Sequence, residues 1–175
     1  MLAAFLTAGV ASLGACTSPP DPVQARTTNP ARGTSVNAEV GRIRLLATRI
    51  DAPEDRKLLG GTNTGLFTTL ANDGDQADRL VSVSTVYAER VVMRQGTDGT
   101  ESPVDVPVPG EGVVSMQYPG GLHLELVGLK LDVRAGRLLP VGFRFEKAGS
   151  VTVNVFVDGF GLPTVSPASV ATPGG

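Results

Sequence analysis

The chain has 175 residues, a length typical of one folded domain, and its formal net charge is −2. The near balance of 15 basic and 17 acidic residues argues against a nucleic-acid-binding protein, and no run of basic residues indicates a polybasic membrane patch. A single cysteine excludes an internal disulfide.

Residues 1–15 form an uncharged apolar stretch that ends in Leu13-Gly14-Ala15, directly before Cys16. The stretch has the length of a signal-peptide hydrophobic region and is too short for a permanent transmembrane helix, although no Lys or Arg precedes it. A leucine, two small residues and a cysteine resemble the lipobox of bacterial lipoproteins. That resemblance implies cleavage before Cys16, lipidation of its thiol, and anchoring at the extracytoplasmic face of the cell membrane. The alternative is an ordinary secretory signal followed by a stray thiol.

Two segments rich in Pro, Thr and Ser flank the central part of the chain. Residues 16–38 are predicted to be the lipidated cysteine and a flexible tether, which as a coil would hold the domain about 25 Å from its anchor on average. Residues 160–175 have the same composition and are predicted to form a disordered tail.

Residues 39–159 show alternation with a period of two and no sustained helical period, which predicts an all-β domain. Seven to nine short strands at this spacing favour an antiparallel β-sandwich. The Asn-Asp-Gly-Asp sequence at 72–75 predicts a hairpin turn. The predicted strands cover residues 43–50, 65–71, 79–87, 90–94, 113–117, 122–126, 143–146 and 151–157.

Five sequence blocks resemble the PCu(A)C family and occur in the order found there. They are LFTTLAN (66–72), DRLVSVST (78–85), PGGLH (119–123), GLK (128–130) and FEKAG (145–149). The resemblance extends over about residues 64–157 and is greatest to the actinobacterial lipoprotein branch, which is LpqE-like. It implies a cupredoxin-like β-sandwich of Greek-key type and a role as an extracytoplasmic copper chaperone.

The resemblance implies a copper site of which this chain keeps one ligand. The family binds Cu(I) through two histidines and two methionines, and its His-x-Met motif matches His123 and Glu125. Cu(I) is soft and disfavours a carboxylate. The other family histidine matches Arg94, whose positive charge would repel a metal. The loop that would carry the remaining methionine, 95–109, contains none.

The methionines and the histidine have alternative interpretations. Met116 is a further candidate metal ligand, because a hairpin through residues 119–121 would bring it towards His123. For both Met93 and Met116 the residues favour a place in the apolar core, where methionine fills gaps between sheets. His123 shares a strand face with Glu125 and fits a surface residue hydrogen-bonded to that carboxylate. A His/Glu pair alone would bind Zn(II) or Cu(II) without selectivity.

The sequence contains no nucleophile elbow, no phosphate-binding loop and no second histidine or cysteine, so a non-enzymatic function is expected. One hypothesis is a lipid-anchored copper-handling protein that exchanges Cu(I) with an extracytoplasmic protein partner through His123. The other is a metal-free protein-interaction or assembly module of the cell envelope. In both hypotheses the lipid anchor contacts the membrane, nucleic acid is no partner, and copper is the one cofactor that the resemblance allows.

Overall fold

The computed structural model describes residues 35–53 and 57–159, which contain twelve β-strands and no helix. The predicted signal peptide (1–15), Cys16, most of the predicted tether and the predicted tail (160–175) lie outside the described residues. The strands are β1 (Val36–Val40), β2 (Ile43–Asp51), β3 (Lys57–Leu58), β4 (Thr64–Asn72), β5 (Asp78–Ser84), β6 (Ala88–Gln95), β7 (Val106–Val108), β8 (Val113–Met116), β9 (Leu122–Leu129), β10 (Val133–Arg134), β11 (Leu138–Phe145) and β12 (Ser150–Asp158).

Ten of these strands form one sheet that curls on itself, in the order β6-β9-β4-β2-β12-β11-β5-β7, with β1 attached to β2 and β8 attached to β4. Strands β3 and β10 form a separate pair. Alternate side chains point inward, as in β12, and the buried apolar residues of both halves of the sheet form one core. The all-β prediction is confirmed. The parallel pairing of β2 with β12 departs from the predicted antiparallel arrangement.

No helix that could cross a membrane by its length and apolar character occurs among the residues with a described structure.

All eight predicted strands are present, but several boundaries and one connection differ. Strand β1 begins at Val36, so residues 36–38 belong to the fold rather than to the tether. Strand β5 ends at Ser84, and Val86 is exposed in the following turn. The turn at 72–75 does not close a hairpin, because β4 and β5 pair with different strands in the two halves of the sheet. Strands β3, β7 and β10 have only two or three residues, too few to show an alternating pattern.

A buried carboxylate fixes the turn between β11 and β12. Asp78, at the start of β5, is 8% exposed. Its Oδ1 accepts hydrogen bonds from the backbone N–H groups of Arg79 (2.7 Å) and Lys147 (3.0 Å), and its Oδ2 accepts one from Ala148 (2.9 Å). Burial alone would raise the pKa of Asp78, but these three donors outweigh it and lower that pKa below its usual value. Two of the blocks that resemble PCu(A)C proteins, 78–85 and 145–149, therefore meet at one contact.

Candidate functional site

A row of side chains crosses four strands on one face of the sheet. Arg94 of β6 lies opposite His123 of β9, and Arg49 of β2 lies opposite Phe67 of β4. The rings of Phe67 and His123 stack with a centroid separation of 5.9 Å, and the guanidinium carbon of Arg49 lies 4.9 Å from the Phe67 ring centroid. The row therefore runs in the order Arg94, His123, Phe67, Arg49.

His123 is buried, with 5% of its surface exposed, and is not the surface residue that one interpretation of the sequence expected. Its Nδ1 lies 3.0 Å from the carbonyl oxygen of Gly121. A carbonyl only accepts, so Nδ1 carries the proton in the neutral ring and the lone pair is on Nε2. The prediction that His123 forms a hydrogen bond with Glu125 is wrong, because Glu125 pairs with Arg94 instead.

Arg94 is held by three acceptors. It forms an ion pair with Glu125, in which each side chain is 17% exposed. It also donates through Nη1 to the carbonyl oxygen of Gly99 (2.6 Å) and through Nη2 to Glu101 (2.9 Å). The hydrogen bond to Glu125 is the main cause that raises the pKa of Arg94. Glu101 is shared with Arg90, whose hydrogen bond is the main cause that lowers the pKa of this carboxyl. The guanidinium of Arg94 thus ties residues 99–101 to β6 and β9.

The other end of the row depends on two backbone features. A side chain at Gly65 would bring its Cβ within 2.5 Å of the Phe67 ring, so the glycine makes room for the ring that stacks on His123. In β2 the pairing register shifts between Leu46 and Arg49, and Ala47 adopts φ +50°. This bulge turns Thr48 into the core and Arg49 onto the outer face.

Three residues of this site were not predicted from the sequence, namely Arg49, Phe67 and Glu101. A glycine inside an alternating strand, at position 65, was the one signal that pointed to Phe67. The bulge beside Arg49 has no comparable signal, because alanine rarely adopts a positive φ. Glu101 lies between strands, where period-two alternation carries no information.

Met93 and Met116 both contact the core. Met116 is fully buried, and Met93 packs against the core from the face of β6 opposite to Arg94. Strands β8 and β9 are not the facing hairpin strands that were expected. Both pair with the same edge of β4, β9 with residues 64–66 and β8 with residues 68–71. The predicted hairpin that would bring Met116 towards His123 is therefore wrong.

The chemistry of this face does not suit a metal ion. Among residues 35–53 and 57–159, no group of three His, Cys, Asp or Glu side chains is placed to hold one. The imidazole of His123 lies opposite a guanidinium, and the nearby carboxylate of Glu125 is neutralised by that cation. A cation that arrived here would meet one nitrogen ligand and the positive charge of Arg94.

Similar solved structures define the class of this domain. A copper-bound PCuAC domain from PmoF2 is 28% identical with a TM-score of 0.60, and 70% of this chain covers 97% of that one. An apo PCuAC domain from PmoF1 is 26% identical with a TM-score of 0.59, and 70% of this chain covers 98% of that one. The Cu(I) form of DR1885 from Deinococcus radiodurans, 21% identical with a TM-score of 0.52, has the same fold over 69% of this chain and 79% of its own. The domain is a cupredoxin-like β domain of the PCuAC type.

A family model assigns the chain more narrowly than the fold class does. The LpqE-like family model, named after a lipoprotein, matches residues 23–157, and the chain belongs to that family. A search of curated proteins gave no match.

Proposed function

We propose that this LpqE-like protein is held at the extracytoplasmic face of the cell membrane through lipidated Cys16. The lipobox-like sequence before Cys16 supports this proposal, and so does the lipoprotein name of the family. A diacylglycerol supplies two chains, which are enough for stable anchoring, whereas a single chain is marginal. The chain length between Cys16 and β1 leaves the domain close to the membrane surface.

We further propose that the domain acts as a metal-free, non-enzymatic interaction module in a copper-related process of the cell envelope. The observation that carries this proposal is the Arg94–Glu125 ion pair. Both residues stand where the resemblance to PCu(A)C proteins implies copper ligands, and they satisfy each other. The positive guanidinium takes the place of a bound cation and ties residues 99–101 to the sheet without metal.

A second candidate function is copper binding or delivery through a reduced site, and one observation favours it. The Gly121 carbonyl accepts a hydrogen bond from Nδ1 of His123 and so leaves Nε2 unprotonated, with its lone pair available, as in many metal-ligating histidines. Copper-bound relatives keep this candidate open. A single imidazole beside Arg94 supplies too few ligands for tight Cu(I) binding.

A competition titration separates the two functions. The mature chain is titrated with Cu(I) against a chelator, in parallel with His123→Ala. The proposal predicts binding no tighter than micromolar and no difference between the two proteins. Sub-nanomolar binding that disappears in His123→Ala would show that the domain carries copper. Mass spectrometry of the chain purified from membranes, with Cys16→Ser as control, tests the anchor independently.

A further inference from the structure

One end of the domain combines exposed aliphatic side chains with exposed cations. The segment 130–138 contains Leu131 and Leu138, which are 48% and 53% exposed, and exposed Lys130, Arg134 and Arg137. We define these five residues, together with Leu59 and Val86, as the loop-end patch; both additional residues are exposed.

Hydrogen bonds bring the three loops of this patch together. The Gly61 N–H donates to the carbonyl of Leu129 (2.6 Å), which joins the loop of Leu59 to the start of segment 130–138. The Lys130 N–H donates to the carbonyl of Tyr87 (2.9 Å), which joins the loop of Val86 to the same place. A shallow cavity of about 290 Å³ lies among Tyr87, Leu131, Arg134 and Arg137. The patch is thus one continuous surface.

The three cations of the patch are available to an outside partner. In the described part of the chain, Lys130, Arg134 and Arg137 form no side-chain ion pair, whereas the neighbouring Asp132 is paired with Lys57. No polybasic run is visible in the sequence, because these cations are spread over eight positions and alternate with apolar residues. With a net charge of −2 for the whole chain, attraction to an anionic surface has to come from a local cluster of cations such as this one.

The chain enters the domain towards the same end. Val36, the first residue of β1, lies opposite Thr48 in an antiparallel pair, so the preceding residues lead towards Asp51 at the end of β2. Strand β4 starts at that end, and β9 leads there into segment 130–138. The described part of the chain therefore begins on the side of the loop-end patch, about twenty residues after Cys16.

From this geometry we infer that the loop-end patch rests on the anionic headgroup surface of the membrane that holds the protein. The inference rests on the proposed anchoring through Cys16. Leucine side chains enter the interface between headgroups and acyl chains, while arginine and lysine contact phosphate. Each basic residue near an anionic surface strengthens binding about fivefold. Because the anchor already confines the domain near the membrane, a weak patch is sufficient to orient it. The opposite end of the domain is then presented to protein partners.

The absence of tryptophan from the chain allows a direct test. Leu131→Trp places one fluorescent reporter in the patch, and Val113→Trp places one on an exposed residue at the opposite end. The mature chain is coupled through Cys16, its only thiol, to a maleimide lipid in vesicles of phosphatidylglycerol and brominated phosphatidylcholine. We expect brominated lipid to quench Leu131→Trp and to leave Val113→Trp unchanged. Chemical coupling makes this result independent of whether cells lipidate Cys16.

Neutralising variants measure the contribution of charge. Unanchored Cys16→Ser chains are sedimented with phosphatidylglycerol vesicles after Arg134→Gln and Arg137→Gln are combined, with Arg42→Gln and Arg144→Gln as a matched pair at the other end. At about fivefold per basic residue, the first pair weakens binding about 25-fold, and the second pair has little effect. Equal quenching of both tryptophan variants, or equal effects of the two pairs, would overturn the inference. A dimer in ultracentrifugation that the patch substitutions abolish would also overturn it, since the patch would then bind a second copy.

Discussion

The contact of Asp78 with the β11–β12 turn predicts a large and specific loss of stability in Asp78→Ala. A hydrogen bond to a charged group contributes about 1.5–3 kcal/mol, and the carboxylate of Asp78 accepts three, from Arg79, Lys147 and Ala148. The three bonds share one carboxylate, so their contributions are not additive. We expect a decrease in the free energy of unfolding of about 3 kcal/mol, equivalent to roughly 12 °C in Tm for a domain of this size.

Urea unfolding at neutral pH measures this loss, with Asp105→Ala as the matched control. Asp105 also lies beside Arg79, but its ion pair is exposed at the surface, so its removal should cost far less than the loss in Asp78→Ala. Equal losses in the two variants would refute the argument that three backbone donors bind Asp78 strongly.

The pH dependence of stability in Asp78→Asn gives a second check. The pKa of Asp78 is lower in the folded than in the unfolded protein, so its contribution is fully present above the unfolded pKa of about 3.9. It is lost as the pH falls through the lower folded value. The stability difference between the wild type and Asp78→Asn should therefore shrink in acid. A difference that stays constant down to the acid-unfolded range would contradict this assignment.

Three further predictions concern the interior and the strand bulge, all measured by urea unfolding. Ala47→Gly should stabilise the domain by about 0.5–1 kcal/mol, because alanine is disfavoured at φ +50°; a loss of stability would argue against the bulge. Gly65→Ala should cost about 1–3 kcal/mol, and most of that cost should vanish in a Phe67→Ala background, where the ring it strikes is gone. Thr48→Val should cost about 1–2 kcal/mol by leaving the buried Thr68 hydroxyl unpaired, whereas replacing both threonines by valine should be nearly neutral.

Long alternating strands could be predicted from the sequence, and their pairing could not. The pattern of β12 specifies which side chains point inward, because a strand with one buried face needs period two. The turn at 72–75 has the residues of a hairpin, yet the strands on either side of it pair elsewhere. Turn chemistry is local, whereas strand pairing depends on contacts distant in sequence.

In the candidate site, too, the strand pattern was predictable and the pairing of side chains was not. Strand alternation places His123 and Glu125 on one face, and the structure adds Arg94 opposite His123. The partners of these residues were not predictable, since the ion pair with Arg94 and the hydrogen bond to Gly121 depend on how β6 and β9 are aligned. The Phe67 ring likewise lies over Gly65, two residues earlier in the same strand, and the alternation pattern does not specify that orientation of the ring.

The central claim is that an ion pair stands where PCu(A)C proteins carry copper ligands. Arg94→His combined with Glu125→Met places two ligand side chains around His123, and Arg94→Gln combined with Glu125→Gln removes the same charges without adding soft ligands. In a Cu(I) competition titration, we expect the first pair to bind at least about tenfold more tightly than the wild type and the second pair to show no gain. No gain in the His/Met variant, or a wild-type protein that already binds at sub-nanomolar concentration through His123, would contradict the account.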